Sequence, residues 1–139
     1  MKTWQTTLTF DSPRRGTFNI TEEICRAVAQ SGVTTGLCHL FIQHTSASLI
    51  ITENADPSVR RDIEYWMRKN VLDGDPNYEH NYEGDDDMSG HIRTLLTETS
   101  LMVPVTSGRL NLGTWQGIFL YEHRTGRFRR KVVVTVQGE

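Results

Sequence analysis

The sequence predicts an α+β fold: a single compact domain over residues 1–139, built mainly from antiparallel sheet with two or three helices. A chain of 139 residues with no repeat and no long Gly/Ser/Pro linker is the size of one domain with one core. About eight segments alternate apolar and polar residues, as strands with one buried face do. The few segments with helical period do not alternate with the strands, so βαβ units and a parallel sheet are not expected.

The N-terminal third predicts two strands and a helix. Alternation from Trp4 to Phe10 indicates the first strand, and Phe18 to Ile20 a short second one. Thr21 is expected to cap the first helix, because a hydroxyl can accept from a free N–H of the first turn, and Gly32 is expected to end it.

The middle third predicts two strands and a second helix. Leu37 to Gln43 reads as a strand that places His44 on its apolar side, and Leu49 to Ile51 as the next strand. Asp56-Pro57 is a strong helix start, because Asp caps and Pro suits the first helical position. The helix that follows should bury one stripe: Val59, Ile63, Trp66, Met67 and Val71.

The rest of the chain predicts a long loop, a short helix and a β-rich end. Residues 73–90 are polar but contain Tyr and His, which favours an ordered loop over a site, with Ser89 capping a short helix after it. Pro104 indicates an edge or a bulge in the strand Leu101–Val105. Ile118–Glu122 and Phe128–Val136 are predicted to form a hairpin around residues 124–126.

Composition points to a soluble cytoplasmic protein. The net charge of −2 gives no reason to expect a nucleic-acid partner, and the basic run Arg124–Lys131 alternates with apolar residues, as a solvated strand face would. No segment is apolar for long enough to span a bilayer, so no membrane partner is expected, and the N-terminus lacks a signal-peptide core. Cys25 and Cys38 are expected to be buried free thiols.

Three polar runs follow apolar segments, where a folding core does not need them but a ligand site does. They are Gln43–Ser46, Ser89–His91 and Gly113–Gly117. Hydroxyl and amide donors in these runs suit a phosphate, and Trp115 with Gln116 suits an aromatic ring that also forms hydrogen bonds. The ligand-binding candidates here are Thr45, Ser46, Ser89, Gly113, Thr114, Trp115 and Gln116.

Three histidines are the candidate metal ligands. His44, His80 and His91 could hold a divalent ion, Zn²⁺ or Mg²⁺, with an open position for water or substrate. His91 is expected in the first turn of its helix, where the helix dipole favours the neutral imidazole. A core histidine at His44 and an incidental one in a capping turn at His91 remain alternatives.

Glu122 is the candidate catalytic carboxylate, with His44 and His91 as the other catalytic residues. It shares a strand face with Ile118 and Leu120, so it should be buried and paired with a histidine or an arginine. The same reasoning applies to Glu53. A structural salt bridge with an arginine is the alternative for both.

The ordered set of motifs resembles the YjbQ-type secondary thiamine-phosphate synthase family. The matching runs are His44-Thr45-Ser46, Glu53-Asn54-Ala55-Asp56-Pro57, Asn77-Tyr78-Glu79-His80, Gly90-His91-Ile92 and Gly113-Thr114-Trp115-Gln116-Gly117. The resemblance adds Asn54 to the ligand-binding candidates. It implies an α+β fold, a homotrimer and an enzyme that joins hydroxymethylpyrimidine diphosphate to a thiazole phosphate with release of pyrophosphate.

Two other functions fit the same residues. One is a metal-dependent hydrolase that attacks its substrate with a metal-activated water. The other is a non-catalytic trimer that binds a small phosphorylated metabolite. Metal content and turnover of the two thiamine precursors separate the three hypotheses.

Overall fold

Eight strands and three helices make up the chain, and the computed structural model describes all of residues 1–139. In chain order the elements are β1 (Lys2–Ser12), β2 (Gly16–Asn19), α1 (Thr21–Ser31), β3 (Thr35–Ile42), β4 (Ala47–Glu53), α2 (Pro57–Asn70), α3 (Asp85–Leu96), β5 (Ser100–Thr106), β6 (Arg109–Leu110), β7 (Gln116–Glu122) and β8 (Phe128–Gly138). The predicted α+β class is confirmed. No helix is long and apolar enough to cross a membrane.

The strands form two antiparallel sheets with the core between them. The larger has five strands in the order β1-β8-β3-β5-β6, and the smaller has three in the order β2-β7-β4. The first and last strands pair along their whole length, from Lys2 opposite Gly138 to Ser12 opposite Phe128. Inward side chains of both sheets and one face of α1 form a single buried apolar cluster.

The predicted hairpin after Glu122 is wrong. β7 pairs with β2 and β4 in the smaller sheet, whereas β8 pairs with β1 and β3 in the larger one. Residues 123–127 therefore carry the chain from one sheet to the other. Turn residues between two apolar segments do not distinguish a hairpin from such a corner, because the difference lies in which strands the two segments pair with.

The first helix ends as predicted but begins differently. Gly32 adopts the left-handed conformation (φ 71°) and its N–H donates to the Ala29 carbonyl. The N-cap residue is Ile20, which has no capping side chain, and Oδ1 of Asn19 before it accepts from the Thr21 N–H at 3.0 Å. Thr21 is instead the first helical residue, and its hydroxyl accepts from the Ile118 N–H, which ties α1 to β7.

The second helix starts as predicted, with the Asp56 carboxylate accepting from the Ser58 N–H at 2.9 Å and Pro57 in the first turn. Its buried stripe is narrower than predicted. Met67 and Val71 are buried, but Trp66 is 51 % exposed. Only a narrow strip of α2, around Met67, packs against the rest of the domain, so the neighbouring Trp66 side chain points outward.

The third helix begins at Asp85, four residues before the predicted start at Ser89. Gly84 precedes it without a side-chain cap, and three aspartates occupy its first turn. Ser89, Gly90 and His91 therefore lie inside the helix rather than at its N-terminus, and the argument that a free helix end keeps His91 neutral is wrong. Residues 73–84 form the loop before it, joined to α3 by a Gly74 N–H bond to the Asp85 carbonyl.

Two smaller expectations have mixed outcomes. Cys38 is buried as predicted, whereas Cys25 is exposed, and both are free thiols. Pro104 pairs with Leu37 of β3 on one side, while on its other side the β5–β6 ladder covers only Val105 and Thr106. A strand position that is open on one side tolerates a residue without an N–H.

Candidate functional site

Two histidines and an aspartate meet at one point on the surface. The ligand atoms of His80, Asp87 and His91 all lie within 4.8 Å of one another. Asp87 Oδ2 is 2.7 Å from His80 Nε2 and 3.2 Å from His91 Nε2. The structure therefore brings together two of the three predicted histidines and adds a carboxylate that the sequence analysis did not select.

The elements explain this convergence. Asp87 and His91 are four residues apart on α3, so they share one face of the helix, and the loop before α3 brings His80 back over that face. The other oxygen of Asp87 is 3.4 Å from Arg124, on the corner between β7 and β8. Burial raises the pKa of Asp87, but hydrogen bonding to His80 and the neighbouring positive charges outweigh it, so the pKa is lowered and the group is ionised.

One hydrogen bond fixes which nitrogen of His91 is free. Its Nδ1 lies 2.9 Å from the Thr45 carbonyl oxygen, which can only accept, so Nδ1 carries a proton. The neutral ring then has its lone pair on Nε2, the atom that faces the ionised Asp87. A lone pair that faces a carboxylate oxygen needs a proton or a cation between them.

A cavity of about 490 Å³ adjoins this cluster, with His91 in its wall. Its lining is mainly apolar, with hydroxyls from three threonines. The residues are Phe41, Ile42, Gln43, His44, Thr45, His91, Thr94, Leu95 and Thr99. A small molecule bound here would contact His91 directly.

His44 lines the same cavity but is not in the cluster. Its Nε2 accepts from the backbone N–H of Lys131 at 2.8 Å, which uses the lone pair that a metal would need. Burial and the positive charge of Arg130 lower the pKa of His44, so the ring is neutral near pH 7. In this conformation His44 forms part of the cavity wall and is hydrogen-bonded to β8, so it is not a metal ligand.

Glu122 is fully buried, and its partner is an arginine, one of the two alternatives considered. Arg130 Nε donates to Glu122 Oε1 at 2.6 Å, and the Ser12 hydroxyl donates to the same oxygen. Arg130 also donates to the Ser46 hydroxyl at 3.1 Å. The inward position of Arg130 shows that the basic run is not wholly a solvated face.

Glu53 has a different role from the buried ion pair considered for it. Its carboxylate accepts from the backbone N–H groups of Ala55 and Asp56, at 3.0 Å and 2.8 Å. It therefore shapes the turn that leads into α2.

The remaining predicted residues form three groups. Thr45 lies in the cavity wall. Ser89 is buried and donates to Asp73, so it is not free to hold a phosphate. Asn54, Gly113, Thr114, Trp115 and Gln116 lie together elsewhere: Asn54 N–H donates to the Trp115 carbonyl at 3.0 Å, and Gln116 Oε1 accepts from Gly113 N–H at 2.8 Å.

This last group is far from the histidine cluster within one chain. Glu53 pairs with Gln116 at one end of the β4–β7 ladder, and Ala47 pairs with Glu122 at the other. The six-residue separation along β7 corresponds to about 20 Å. Trp115, which is 62 % exposed, cannot contact a ligand bound beside His91 in the same chain.

Two functional candidates escaped the sequence analysis. Asp87 stood in a run of three aspartates, and only its position four residues before His91 on a helix distinguishes it. His123 directly follows β7 at the corner between the two sheets, yet it is completely buried, with Nε2 2.8 Å from the Ser48 hydroxyl. Burial, with nearby arginines, lowers the pKa of His123 to about 3.

Comparisons with known proteins agree on the family. Residues 6–139 match the family described as UPF0047 protein YjbQ-like. The chain is 48 % identical over 137 residues to the UPF0047 protein YjbQ of Escherichia coli O157:H7, covering 98 % of this chain and 99 % of that one. It is 51 % identical over 121 residues to a UPF0047 protein of Synechocystis sp., covering 87 % and 82 %.

A solved structure has the same fold. The crystal structure of a YbjQ-like protein of unknown function from Sulfolobus solfataricus superposes with a TM-score of 0.90 at 26 % identity and covers 99 % of both chains.

Proposed function

We propose, from the premise that this chain belongs to the YjbQ-like UPF0047 family, that it is a divalent-metal-dependent enzyme acting on a small phosphorylated metabolite. The observation that carries the proposal is the cluster of His80, Asp87 and His91 beside a cavity. Hydrolysis is the reaction that this geometry favours most.

The donor set fits a transition metal. Two imidazole nitrogens and one carboxylate leave at least one coordination position open, as a catalytic zinc site requires. Imidazole suits Zn²⁺ better than Mg²⁺, which prefers oxygen ligands, so we favour Zn²⁺ of the two ions considered. The Thr45 carbonyl orients His91, and Arg124 holds the second oxygen of Asp87, which are the supporting contacts that metal ligands commonly have.

The protein groups around the cation position supply the rest of the chemistry. A bound divalent cation would polarise a phosphoryl oxygen and activate a water. Thr45, Thr94 and Thr99 line the cavity and offer hydroxyls to a bound substrate, while its apolar wall excludes bulk water. His44 stays neutral beside Arg130 and borders the substrate space without binding the ion.

Thiamine-phosphate synthesis is the second candidate, and the motif resemblance supports it. A cation at the cluster would stabilise the pyrophosphate leaving group. The distance of Trp115 from His91 weighs against it within one chain, since the expected aromatic surface lies at the far end of β7. A site that uses both would need a neighbouring subunit.

A homotrimer is part of the proposal. The outer face of the five-stranded sheet exposes apolar side chains that a monomer would normally cover: Leu37 is 47 % exposed, Phe41 43 % and Met102 55 %. Phe41 also lines the cavity, and Leu95 beside it is 83 % exposed, so a neighbour on this face would reach the site. Sedimentation equilibrium at micromolar concentration should give the trimer mass, and a monomer mass would contradict it.

Metal analysis tests the cation site. Protein purified without chelator should carry about one Zn²⁺ per chain, and Asp87→Asn or His91→Ala should reduce this strongly, since each removes one of three ligands. Asp62→Asn, at an exposed aspartate of α2 outside the cluster, is the matched control for Asp87→Asn. His44→Ala should keep the metal; loss there with retention in Asp87→Asn would return the site to the three histidines first considered.

The bound metal should also respond to pH. Imidazole ligands must be unprotonated, and an unperturbed histidine titrates near pH 6.5. Bound metal holds the ligands deprotonated, so protons displace it only below that value. Metal content measured after dialysis should stay high at pH 8 and fall as the pH drops through about 6 to 5.

Activity assays then separate the functions. Turnover of phosphate esters that needs added Zn²⁺ and disappears in Asp87→Asn supports the hydrolase. Formation of thiamine phosphate from its two precursors that disappears in both Asp87→Asn and His44→Ala supports the synthase. Tight binding of a phosphorylated metabolite without turnover would support the third hypothesis, a non-catalytic trimer that binds such a metabolite.

A further inference from the structure

A second cavity lies on another part of the surface and is lined by four arginines. It measures about 320 Å³ and is bordered by Arg14 and Arg15, which precede β2, and by Arg60 and Arg61 in α2. The other lining residues are Gly16, Thr17, Pro57, Glu64 and Tyr121. No residue of the metal cluster or of its cavity borders it.

Three of these four guanidinium groups have no acidic partner. Arg15 pairs with Asp73 at 2.8 Å, but no carboxylate lies within 4.0 Å of a nitrogen of Arg14, Arg60 or Arg61. Like charges held close together repel one another, and a bound anion removes that repulsion.

The one carboxylate of the cavity is already neutralised. Glu64 accepts from the buried Arg93 at 3.1 Å and from the Tyr121 hydroxyl at 2.7 Å, and Arg68 lies 3.8 Å away. Its charge therefore does not compensate the three free arginines.

Aromatic contacts hold two of these arginines in place. The Arg14 guanidinium lies 5.0 Å from the centre of the Phe18 ring, and that of Arg60 lies 4.6 Å from the centre of the Phe119 ring. Arg60 also donates to the Glu53 carbonyl at 3.1 Å. A guanidinium stacked on a ring keeps N–H groups free at its edge, and less side-chain freedom is lost when it binds an oxyanion.

We propose that this arginine cavity is a binding site for a multiply charged phosphate group, separate from the metal cluster. Planar guanidinium groups match phosphate oxygens with paired hydrogen bonds, and three of them suit a diphosphate or a larger phosphorylated anion better than a single carboxylate. The site is additional to the proposed function and does not depend on it.

The site is connected to the metal cluster through α3. Arg15 in the cavity wall binds Asp73, which accepts from Ser89 on α3, and Glu64 binds Arg93 on the same helix. Asp87 and His91 are on this helix, so residues that border the arginine cavity are linked to the helix that carries two of the three proposed metal ligands.

Titration with inorganic pyrophosphate in a calorimeter tests the site. Treatment of the protein with chelator excludes binding of pyrophosphate through a metal ion. The chelator-treated wild type should still bind pyrophosphate, and its affinity should fall as salt is added. Arg61→Ala and Arg14→Ala should each weaken binding about tenfold or more, because each removes charged hydrogen bonds. Arg127→Ala, an exposed arginine outside the cavity, is the matched control and should bind within about twofold of wild type.

The outcomes separate this site from the metal site. His91→Ala should lose metal and keep pyrophosphate binding, whereas Arg61→Ala should do the reverse. Thermal melts of each variant confirm that it is folded, and Arg61→Lys should recover part of the affinity. Equal binding in wild type and the folded variant lacking both Arg14 and Arg61, or equal weakening in Arg127→Ala, would overturn the proposal.

Discussion

The buried ion pair between Glu122 and Arg130 joins the two sheets. Glu122 ends β7 in the smaller sheet, while Arg130 on β8 and Ser12 on β1 belong to the larger one. A charge with no exposure to water is stable only while its partner is present. The strand alternation was enough to predict that Glu122 is buried, but not which of the many arginines reaches it, because that depends on how the sheets face each other.

Removing one member of this pair should destabilise the domain strongly. Arg130→Met leaves the Glu122 carboxylate buried without its partner, and we expect a loss of about 3–5 kcal/mol in the free energy of unfolding. Adding Glu122→Gln to Arg130→Met should recover part of that loss, because the uncompensated charge is then absent. Urea denaturation of the single and double variants measures both values, and additive losses would show that the two groups do not interact.

His123 should make stability depend on pH. Its pKa is lowered to about 3 in the folded chain, against about 6.5 when unfolded, so the unfolded state binds more protons between these values. Stability should therefore fall as the pH drops below 6.5, by about 2 kcal/mol between pH 6.5 and 5 from this residue. The carboxylates with lowered pKa lose their contribution only at lower pH.

Urea denaturation in chelator at pH 6.5 and pH 5 gives the measurement. His123→Gln keeps an acceptor for Ser48 but cannot take up a proton, so it should lose about 2 kcal/mol less than wild type over this interval. A variant His123→Gln with unchanged pH dependence would mean that the buried ring is not the titrating group.

At the level of elements, α3 shows why the site was only partly predictable. A short helix after Ser89 was predicted, and its leucines Leu95 and Leu96 are exposed. The buried face of α3 is mostly polar and is formed by Asp87, Ser89, Gly90, Arg93 and Thr94. A helix whose inward side contacts ion pairs does not show the apolar stripe from which helices are predicted.

Two glycines in different elements should respond oppositely to alanine. A Cβ on Gly36 in β3 would lie 1.9 Å from the Gln137 carbonyl oxygen of β8, so the two strands would have to separate. A Cβ on Gly90 in α3 would meet Ser46 at 3.4 Å, an ordinary contact.

Gly36→Ala should therefore lose about 3 kcal/mol or more of stability, and Gly90→Ala should gain up to about 1 kcal/mol from better helix propensity. Thermal denaturation of both variants decides this, and a stable Gly36→Ala protein would mean that the β3–β8 contact is looser than described.

The second helix carries a corrected expectation. Trp66 was predicted to lie on the buried stripe of α2, but its side chain is half exposed in this domain. Trp66→Ala should lose much less than the roughly 3–5 kcal/mol of a buried tryptophan. Met67→Ala, one residue away and buried, is the matched variant that should show the large loss in urea denaturation.

At the level of the whole molecule, the number and type of elements followed from the sequence, but their pairing did not. Alternating segments indicate strands and caps such as Asp56-Pro57 indicate helix starts, and both signals are contained in a few neighbouring residues. The pairing of β1 with β8 and the separation of β7 from β8 depend on contacts between distant segments, which no local pattern contains. The motif resemblance selected candidate site residues, yet it could not show that Trp115 lies at the far end of β7 from His91.

The exposed face of the larger sheet is the surface on which substitutions should disrupt the proposed trimer. Leu37→Glu and Met102→Glu each place a charge on this apolar face without entering the cavity, and a charge buried at an interface is unfavourable. Both variants should sediment as smaller species at micromolar concentration. Leu72→Glu, an exposed leucine elsewhere, should keep the wild-type mass; dissociation of that variant alone would place the interface around α2.

The place of β8 in the larger sheet determines when the protein can fold during its synthesis. β8 lies between β1 and β3, so β1 is not joined to the rest of the sheet until the eleven residues Phe128–Gly138 have been synthesised. A nascent chain still held in the ribosomal tunnel lacks this strand and exposes the inward side chains of its neighbours. Folding of the larger sheet therefore waits until β8 has left the ribosomal tunnel, and a chain that stops before residue 128 should be recognised as unfolded rather than persist as a partly folded protein.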